Sequence, residues 1–122
     1  MDRIGLEGMV FYGYHGDREE ERRLGQRFVV DVEMGLDLTR PGASDRLEDT
    51  VDYGEAYRLV KAVMEGPSHH LLESLAEAIA QGLLAALPTQ EVRVRVSKPN
   101  VPIKGPLQRA WVEVVRQRKT GS

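Results

Sequence analysis

The side chain of Lys98 is the first candidate for chemistry, because it stands at the end of a strand pattern. Residues Val92, Val94 and Val96 are apolar and alternate with polar residues, so they share one face of the predicted strand. Lys98 continues the even positions and is predicted to lie toward the buried side, while Pro99 keeps its backbone extended. A lysine beside apolar surface loses solvation of its charged form and can take part in proton transfer. The alternative is a strand-end lysine whose ammonium group reaches water.

Three other side chains have suitable chemistry, each with a simpler explanation beside it. Glu73 lies in the first turn of a predicted helix, where its carboxylate either accepts a pair of N–H groups from a planar ring or merely complements the helix dipole. Tyr53 opens another predicted helix and is either an active-site hydroxyl or a packing residue. Glu21 lies in the strongly charged segment 19–23 and, taken alone, is a solvated charge.

Composition and motifs exclude several classes of function. The chain has three histidines and no cysteine, and the adjacent His69 and His70 point in different directions, so no zinc-ligand spacing is present. No phosphate-binding loop or nucleophile elbow occurs, and we expect neither a metal nor a cofactor. The net charge is −2, which gives no indication of nucleic-acid binding. Without a long apolar run or a signal-peptide pattern, we expect a soluble cytoplasmic protein that does not enter a membrane.

The predicted elements follow the order ββααββ within one domain, residues 1–122. The first strand changes phase near Gly8, which predicts a β-bulge, and residues 41–44 form a turn cluster. Asp52 and Glu55 predict a capping box at the start of the first helix. The later predicted elements are a long strand Phe28–Leu38, helices Tyr53–Met64 and Leu71–Leu87, and strands Val92–Lys98 and Ala110–Arg116.

This order predicts an α+β fold, a four-stranded antiparallel sheet with two helices on one face. The long strand alternates apolar and charged residues, which is typical of an antiparallel strand with one wet face. An open sheet leaves unpaired edges, and oligomerisation that joins edges is one way to cover them. We therefore expect a homo-oligomer.

Five short segments, weak separately, together resemble the dihydroneopterin aldolase family. They run over nearly the whole sequence, from about Ile4 to Arg116, and they occur in the family's order and at its separations. The segments are Gly8–Gly16, Glu21 four residues before Gly25-Gln26, Asp49–Tyr53, Leu71-Leu72-Glu73 and Lys98-Pro99.

The resemblance implies a lyase of folate biosynthesis that cleaves 7,8-dihydroneopterin by a retro-aldol reaction, without a metal or a Schiff base and with side epimerase activity. It implies that Lys98 and Tyr53 are catalytic and that Glu21, Tyr53, Leu72 and Glu73 bind the pterin substrate. It also implies the tunnelling fold, in which the sheets of four subunits join into an oligomeric barrel and two rings stack into an octamer.

Two other functions remain open from the sequence. One is an epimerase of the same fold that acts on dihydroneopterin or its triphosphate, for which Arg93, Arg95 and Lys104 would supply the basic cluster. The other is a non-catalytic, oligomeric pterin-binding protein, which the joint presence of the four site side chains argues against. Release of glycolaldehyde distinguishes cleavage from epimerisation.

Overall fold

A computed structural model describes residues 1–119, which form a four-stranded antiparallel sheet with helices packed on one face. The strands lie in sequence order across the sheet, so β1 and β4 are its two edges. The strands are β1 (Asp2–Gly13), β2 (Gln26–Leu36), β3 (Glu91–Lys98) and β4 (Ala110–Gln117). The helices are α1 (Glu19–Leu24), α2 (Thr39–Ser44), α3 (Tyr53–Met64) and α4 (Leu72–Ala86), with a 3₁₀ turn at Leu47–Asp49.

The predicted bulge in β1 is present. The register of β1 against β2 shifts between Leu6 and Met9, and Gly8 has a positive φ of 68°. The Asp31 carboxylate accepts the Gly8 N–H at 2.7 Å, which satisfies a donor that the bulge removes from the ladder. Because of the shift, even positions before the bulge and odd positions after it both face the helices.

The core lies between the sheet and the helices α3 and α4. The even positions of β2 and β3, from Phe28 to Met34 and from Val92 to Val96, are fully buried as their alternation predicted. From the helices, Ala56, Val60, Met64, Leu75, Ala76, Ile79, Ala80 and Leu83 meet them. Helix α4 lies over β3 and β4 and helix α3 over β1, so the two helices cover the sheet from edge to edge.

The structure differs from the predicted elements at four places. The charged segment before Gly25 and the predicted turn cluster each contain a short helix, α1 and α2. Strand β2 ends at Leu36 rather than Leu38, because the Asp37 carboxylate accepts both the backbone N–H and the hydroxyl of Thr39 and turns the backbone. Asp52 caps α3 by accepting the Gly54 N–H at 2.9 Å. The predicted capping box would have used the N–H of the next residue, Glu55.

The helix-free face of the sheet carries alternating charges in its centre. Arg93 lies between Glu33 and Glu113, at 3.5 and 3.7 Å, and Arg95 pairs with Glu113 at 3.2 Å while lying over the Trp111 ring. Exposed apolar side chains flank this centre, at Val10 and Tyr12 on β1 and at Trp111 and Val115 on β4. Each sheet edge therefore carries two exposed apolar side chains on this face. Among the described residues no helix is long and apolar enough to cross a membrane.

Candidate active site

Lys98 and Glu21 form the centre of the candidate site. The Lys98 Nζ lies 2.7 Å from Glu21 Oε2, although 77 positions separate the two residues in the sequence. Both side chains are mostly buried, with 14% and 13% of their surface exposed. The predicted inward position of Lys98 is thus present, but its ammonium group faces a carboxylate rather than bare apolar surface. The family resemblance implies only that Glu21 binds the substrate, and no pattern in the sequence identifies it as the partner of Lys98.

Several donors hold the Glu21 carboxylate in place. Gln26 Nε2 donates to Oε2 at 2.9 Å, and the Arg18 N–H donates to Oε1 at 3.2 Å. Burial raises the pKa of Glu21, but the hydrogen bonds from Lys98, Gln26 and Arg18 and the charge of Lys98 outweigh it, so the net pKa lies below its ordinary value. Glu21 is therefore an anion at neutral pH, held against a cation in a place where substrate could meet both.

Local backbone geometry brings Glu21 to this position. Helix α1 begins after Arg18 and carries Glu21 in its first turn, and the backbone leaves the helix at Gly25 with a positive φ. Gly16 has a φ of 150°, and a Cβ there would lie 2.5 Å from the Glu21 Cβ. Only a glycine allows the loop to pass this close, so the Gly16 and Gly25 of the motif segments have steric reasons to be glycine.

Glu73 and Leu72 lie at the start of α4, next to the loop that borders Glu21. The Gly16 N–H donates to the His69 carbonyl at 2.9 Å, and His69 Nδ1 is 2.7 Å from the Ser74 hydroxyl. These bonds hold the first turn of α4 against the loop that follows β1. Glu73 is exposed and Leu72 is half-buried, so the carboxylate is open to a ligand.

Tyr53 lies far from the other candidate residues within one subunit. It is the first residue of α3, and Met64, at the other end of this helix, is the residue that contacts the loop after β1 through its carbonyl. At 1.5 Å per residue, Tyr53 is about 16 Å along the helix from that contact. Its side chain is 61% exposed. One subunit therefore brings Lys98, Glu21, Leu72 and Glu73 into one region and leaves Tyr53 outside it.

An open cavity of about 310 Å³ borders Glu21 between α1 and residues 100–102. Its volume is at the lower limit for sites that enclose small molecules. The lining includes Gly25, Gln26 and Pro102. Of the candidate site residues only Glu21 lines it, whereas Lys98, Tyr53, Leu72 and Glu73 do not. The cavity thus covers only part of the candidate site. In residues 1–119, no group of three or more histidine, aspartate or glutamate side chains is placed to hold a metal ion.

Comparisons with known proteins identify the family. A model of the dihydroneopterin aldolase family matches residues 4–115. A Bacillus subtilis dihydroneopterin aldolase is 44% identical over 119 residues, covering 97% of this protein and 99% of its own length. The chain belongs to the dihydroneopterin aldolase family.

Solved structures of dihydroneopterin aldolases have the same fold. The E. coli enzyme in complex with neopterin superposes with a TM-score of 0.87 at 28% identity, covering 95% of this protein and 99% of that one. The Burkholderia thailandensis enzyme bound to guanine superposes with a TM-score of 0.78 at 31% identity, covering 97% and 92%. The predicted α+β sheet, the family and its enzyme class, a lyase, are confirmed.

Epimerisation of a triphosphate is not favoured by the placement of the strand arginines. Arg93 and Arg95 occupy odd positions of β3, on the face opposite Lys98, and glutamates pair with both. They therefore add no positive charge beside Lys98.

The role of Gln26, which is buried at the start of β2, was not predicted from the sequence. Gln26 shares the buried face of the strand with Phe28 and Val30. That position indicates a buried amide, and a buried amide needs hydrogen-bond partners.

Proposed function

We propose that the protein cleaves 7,8-dihydroneopterin into 6-hydroxymethyl-7,8-dihydropterin and glycolaldehyde. The mostly buried Lys98–Glu21 pair, in a member of the dihydroneopterin aldolase family, is the observation that carries the proposal. A relative bound to neopterin and another bound to guanine support a ligand with a pterin-like ring. We also propose that residues 1–122 act as one domain, in the cytoplasm.

The chemistry of the substrate explains why proton transfer is the main task of the protein. Breaking the carbon–carbon bond of the substrate's side chain leaves an electron pair, and the C=N bond of the dihydropterin, which is conjugated to the reacting carbon, accepts it. The lysine therefore does not need to form a Schiff base to supply an electron sink. What remains is to remove a proton from a hydroxyl of the substrate, which becomes the aldehyde of glycolaldehyde, and to deliver a proton to the carbon left on the ring.

In this proposal Lys98 and Tyr53 are the proton donors and acceptors. Glu21 binds the substrate beside Lys98, and the Arg18 and Gln26 donors keep its carboxylate charged and oriented. The Glu73 carboxylate accepts hydrogen bonds from the ring N–H and the amino group of the pterin, next to the backbone of Leu72. A paired contact of this kind separates pterin-like rings from rings that lack the two donors.

We propose that Tyr53 reaches Lys98 from a neighbouring subunit of a homo-octamer built of two tetrameric rings. Its exposure and its distance from the other site residues within one subunit support an arrangement in which a second copy completes the site. The unpaired edges β1 and β4, each with two exposed apolar side chains on the helix-free face, support edge-to-edge joining of copies.

The test is incubation of the purified protein with 7,8-dihydroneopterin, followed by measurement of glycolaldehyde and of both stereoisomers of the remaining substrate. We expect glycolaldehyde at a rate that chelators do not reduce, with some epimer as a side product. The rate should also be unchanged after the protein has been treated with borohydride and substrate and then freed of both. Epimer without glycolaldehyde would identify an epimerase, and binding without either product would identify a pterin-binding protein. A borohydride-dependent mass adduct on Lys98 would contradict the mechanism.

A further inference from the structure

The proposed mechanism does not use His15, which is the most deeply buried polar side chain near the site. Only 1% of its surface is exposed. It lies in the loop after β1, and its ring packs edge-on against Phe28 with 5.4 Å between ring centroids. A Cβ at Gly13 would lie 2.7 Å from the His15 ring and 2.7 Å from the Met64 carbonyl, so the glycine leaves the space that the ring occupies.

Both nitrogens of the His15 ring have fixed partners. Nε2 is 2.7 Å from the Met64 carbonyl oxygen, which can only accept, so Nε2 carries the proton. Nδ1 accepts the backbone N–H of His69 at 3.0 Å. The ring is therefore neutral and in a single tautomer, and burial, which lowers the pKa of His15, maintains this state. An apolar residue of the same size would leave the buried Met64 carbonyl and the partly buried His69 N–H without these partners.

One series of hydrogen bonds runs from His15 to the candidate catalytic pair. Gln26 Nε2 donates to the His15 carbonyl at 3.2 Å and to Glu21 Oε2 at 2.9 Å. The same Oε2 accepts from Lys98 Nζ. The position of the His15 backbone is thus coupled to the position of the Lys98–Glu21 pair.

A second series runs from the His15 ring to the start of α4. The His15 Nδ1 bond fixes the backbone of His69, and the His69 ring contacts the hydroxyl of Ser74 at 2.7 Å. Ser74 follows Glu73 directly in the first turn of the helix. His15 is therefore the residue in which the two series meet.

We propose that His15 is a positioning residue that sets the spacing between Glu73 and the Lys98–Glu21 pair. This inference rests on the proposed function, in which Glu73 holds the pterin ring and Lys98 exchanges protons with the substrate. A reacting atom that is displaced by about 1 Å can lose on the order of 10²-fold in rate while the ligand still binds. Loss of the His15 connection should therefore reduce turnover more than pterin binding.

Two substitutions separate the two bonds of the ring. His15→Asn places an amide oxygen near the position of Nδ1 and keeps an acceptor for the His69 N–H. His15→Gln places an amide nitrogen near the position of Nε2 and keeps a donor for the Met64 carbonyl. Only the His69 bond leads to Glu73, so the proposal predicts that Asn preserves function better than Gln.

The experiment measures kcat per neopterin-binding site, with sites counted by titration of the assembled protein, so that misfolded protein does not contribute. We expect His15→Gln to lower this kcat on the order of 10²-fold with the Kd of neopterin changed less than threefold, and His15→Asn to lose about tenfold or less. Equal values for both variants, or a better value for Gln, would overturn the proposal.

A surface substitution tests the second series without disturbing the buried ring. Ser74→Ala removes the hydroxyl next to His69 and should lower kcat per site by several-fold. Ser68→Ala is the matched control, because its hydroxyl bonds the Tyr14 carbonyl in the same region and lies outside both series. An equal effect of the two serine substitutions, or no effect of Ser74→Ala, would contradict the inference.

The Lys98→Met variant in the same assay separates this inference from the proposed function. Full turnover by Lys98→Met would refute the proposed mechanism itself. Loss of turnover in Lys98→Met together with normal turnover in both His15 variants would refute only the role of His15.

Discussion

Replacement of Lys98 by methionine is expected to separate the structural role of the Lys98–Glu21 pair from its chemical role. Methionine keeps most of the length of the side chain and removes the charge. An exposed ion pair contributes about 0–1 kcal/mol to the free energy of unfolding, whereas removing one partner of a fully buried pair costs about 3–5 kcal/mol. With 14% and 13% of the two side chains exposed, this pair lies between these limits. Because Gln26 and Arg18 still donate to Glu21, we expect a loss of about 2 kcal/mol.

The chemical effect of the same substitution should be larger than the structural one. General acid–base catalysis supplies about 10²–10⁴-fold in rate, which corresponds to roughly 3–5 kcal/mol of transition-state stabilisation. We expect kcat for glycolaldehyde release to fall within or beyond this range, with the Kd of neopterin nearly unchanged. Lys98→Arg should not restore activity, because a guanidinium group stays protonated and cannot act as a base near neutral pH.

The assays are denaturant unfolding at a fixed protein concentration, fluorescence titration with neopterin, and glycolaldehyde formation under saturating substrate. Lys61→Met is the matched control, since Lys61 is an exposed lysine on α3. It should leave stability, binding and turnover close to those of the unsubstituted protein. Near-normal turnover by Lys98→Arg would refute the reasoning, because Lys98 would then supply only charge and proton transfer would fall to Tyr53 or water.

Three further predictions concern the pterin carboxylate, acid stability and assembly. Glu73→Ala should lower the free energy of unfolding by only about 0.3–1 kcal/mol but should weaken neopterin binding by several times that amount. Glu55→Ala, which removes an exposed acid from the first turn of α3, should leave neopterin binding unchanged in the same titration. The pKa of Glu21 in the folded protein lies below its ordinary value of 4.5. The contribution of Glu21 to the free energy of unfolding is therefore complete above pH 4.5 and is lost as the pH falls through the lower folded pKa. When the free energy of unfolding is measured against pH, the difference between the unsubstituted protein and Glu21→Gln should shrink toward low pH. Sedimentation should show a species of eight 13.7 kDa subunits, and a fully active monomer would contradict the shared site.

Local periodicity was sufficient to predict most of the elements. Helix α3 has the predicted bounds. Helix α4 is one residue shorter than predicted at each end, and strand β3 begins one residue earlier than predicted. The prediction failed where side chains compete with the local pattern. Leu38 continues the alternation of β2, but the Asp37 side chain bonds the backbone of Thr39 and ends the strand. The short helix α1 was not predicted either. It consists mostly of charged residues and buries none of them, so its sequence has no apolar periodicity.

The candidate site was predictable residue by residue but not as an arrangement. Lys98 was expected to face inward because it continues the alternation of buried side chains at Val92, Val94 and Val96, and the structure places it on that side. That Glu21 is its partner depends on the packing of a loop against the end of a distant strand, and no local pattern encodes such a contact. The role of His15 depends likewise on the Met64 carbonyl and the His69 N–H, which come from other segments.

The way in which the backbone traverses the sheet has a consequence for the kinetics of folding. Strands β1–β2 and β3–β4 are neighbours in sequence, but residues 37–90 separate β2 from β3, against residues 99–109 between β3 and β4. Closing a loop about five times longer costs about 1.4 kcal/mol more in conformational entropy. The two outer pairings should therefore form early, and the central β2–β3 pairing should form late.

The contact between Lys98 and Glu21 belongs to that late step. Strand β3 ends at Lys98, and Glu21 lies on the segment that leads into β2, so the two residues meet only when β2 and β3 pair. Substitutions that weaken this pair should mainly accelerate unfolding and leave the folding rate nearly unchanged, which corresponds to a φ-value near zero. A dihydroneopterin aldolase built in this way acquires its chemistry only at the end of folding, so a partly folded molecule would not be able to act on a pterin.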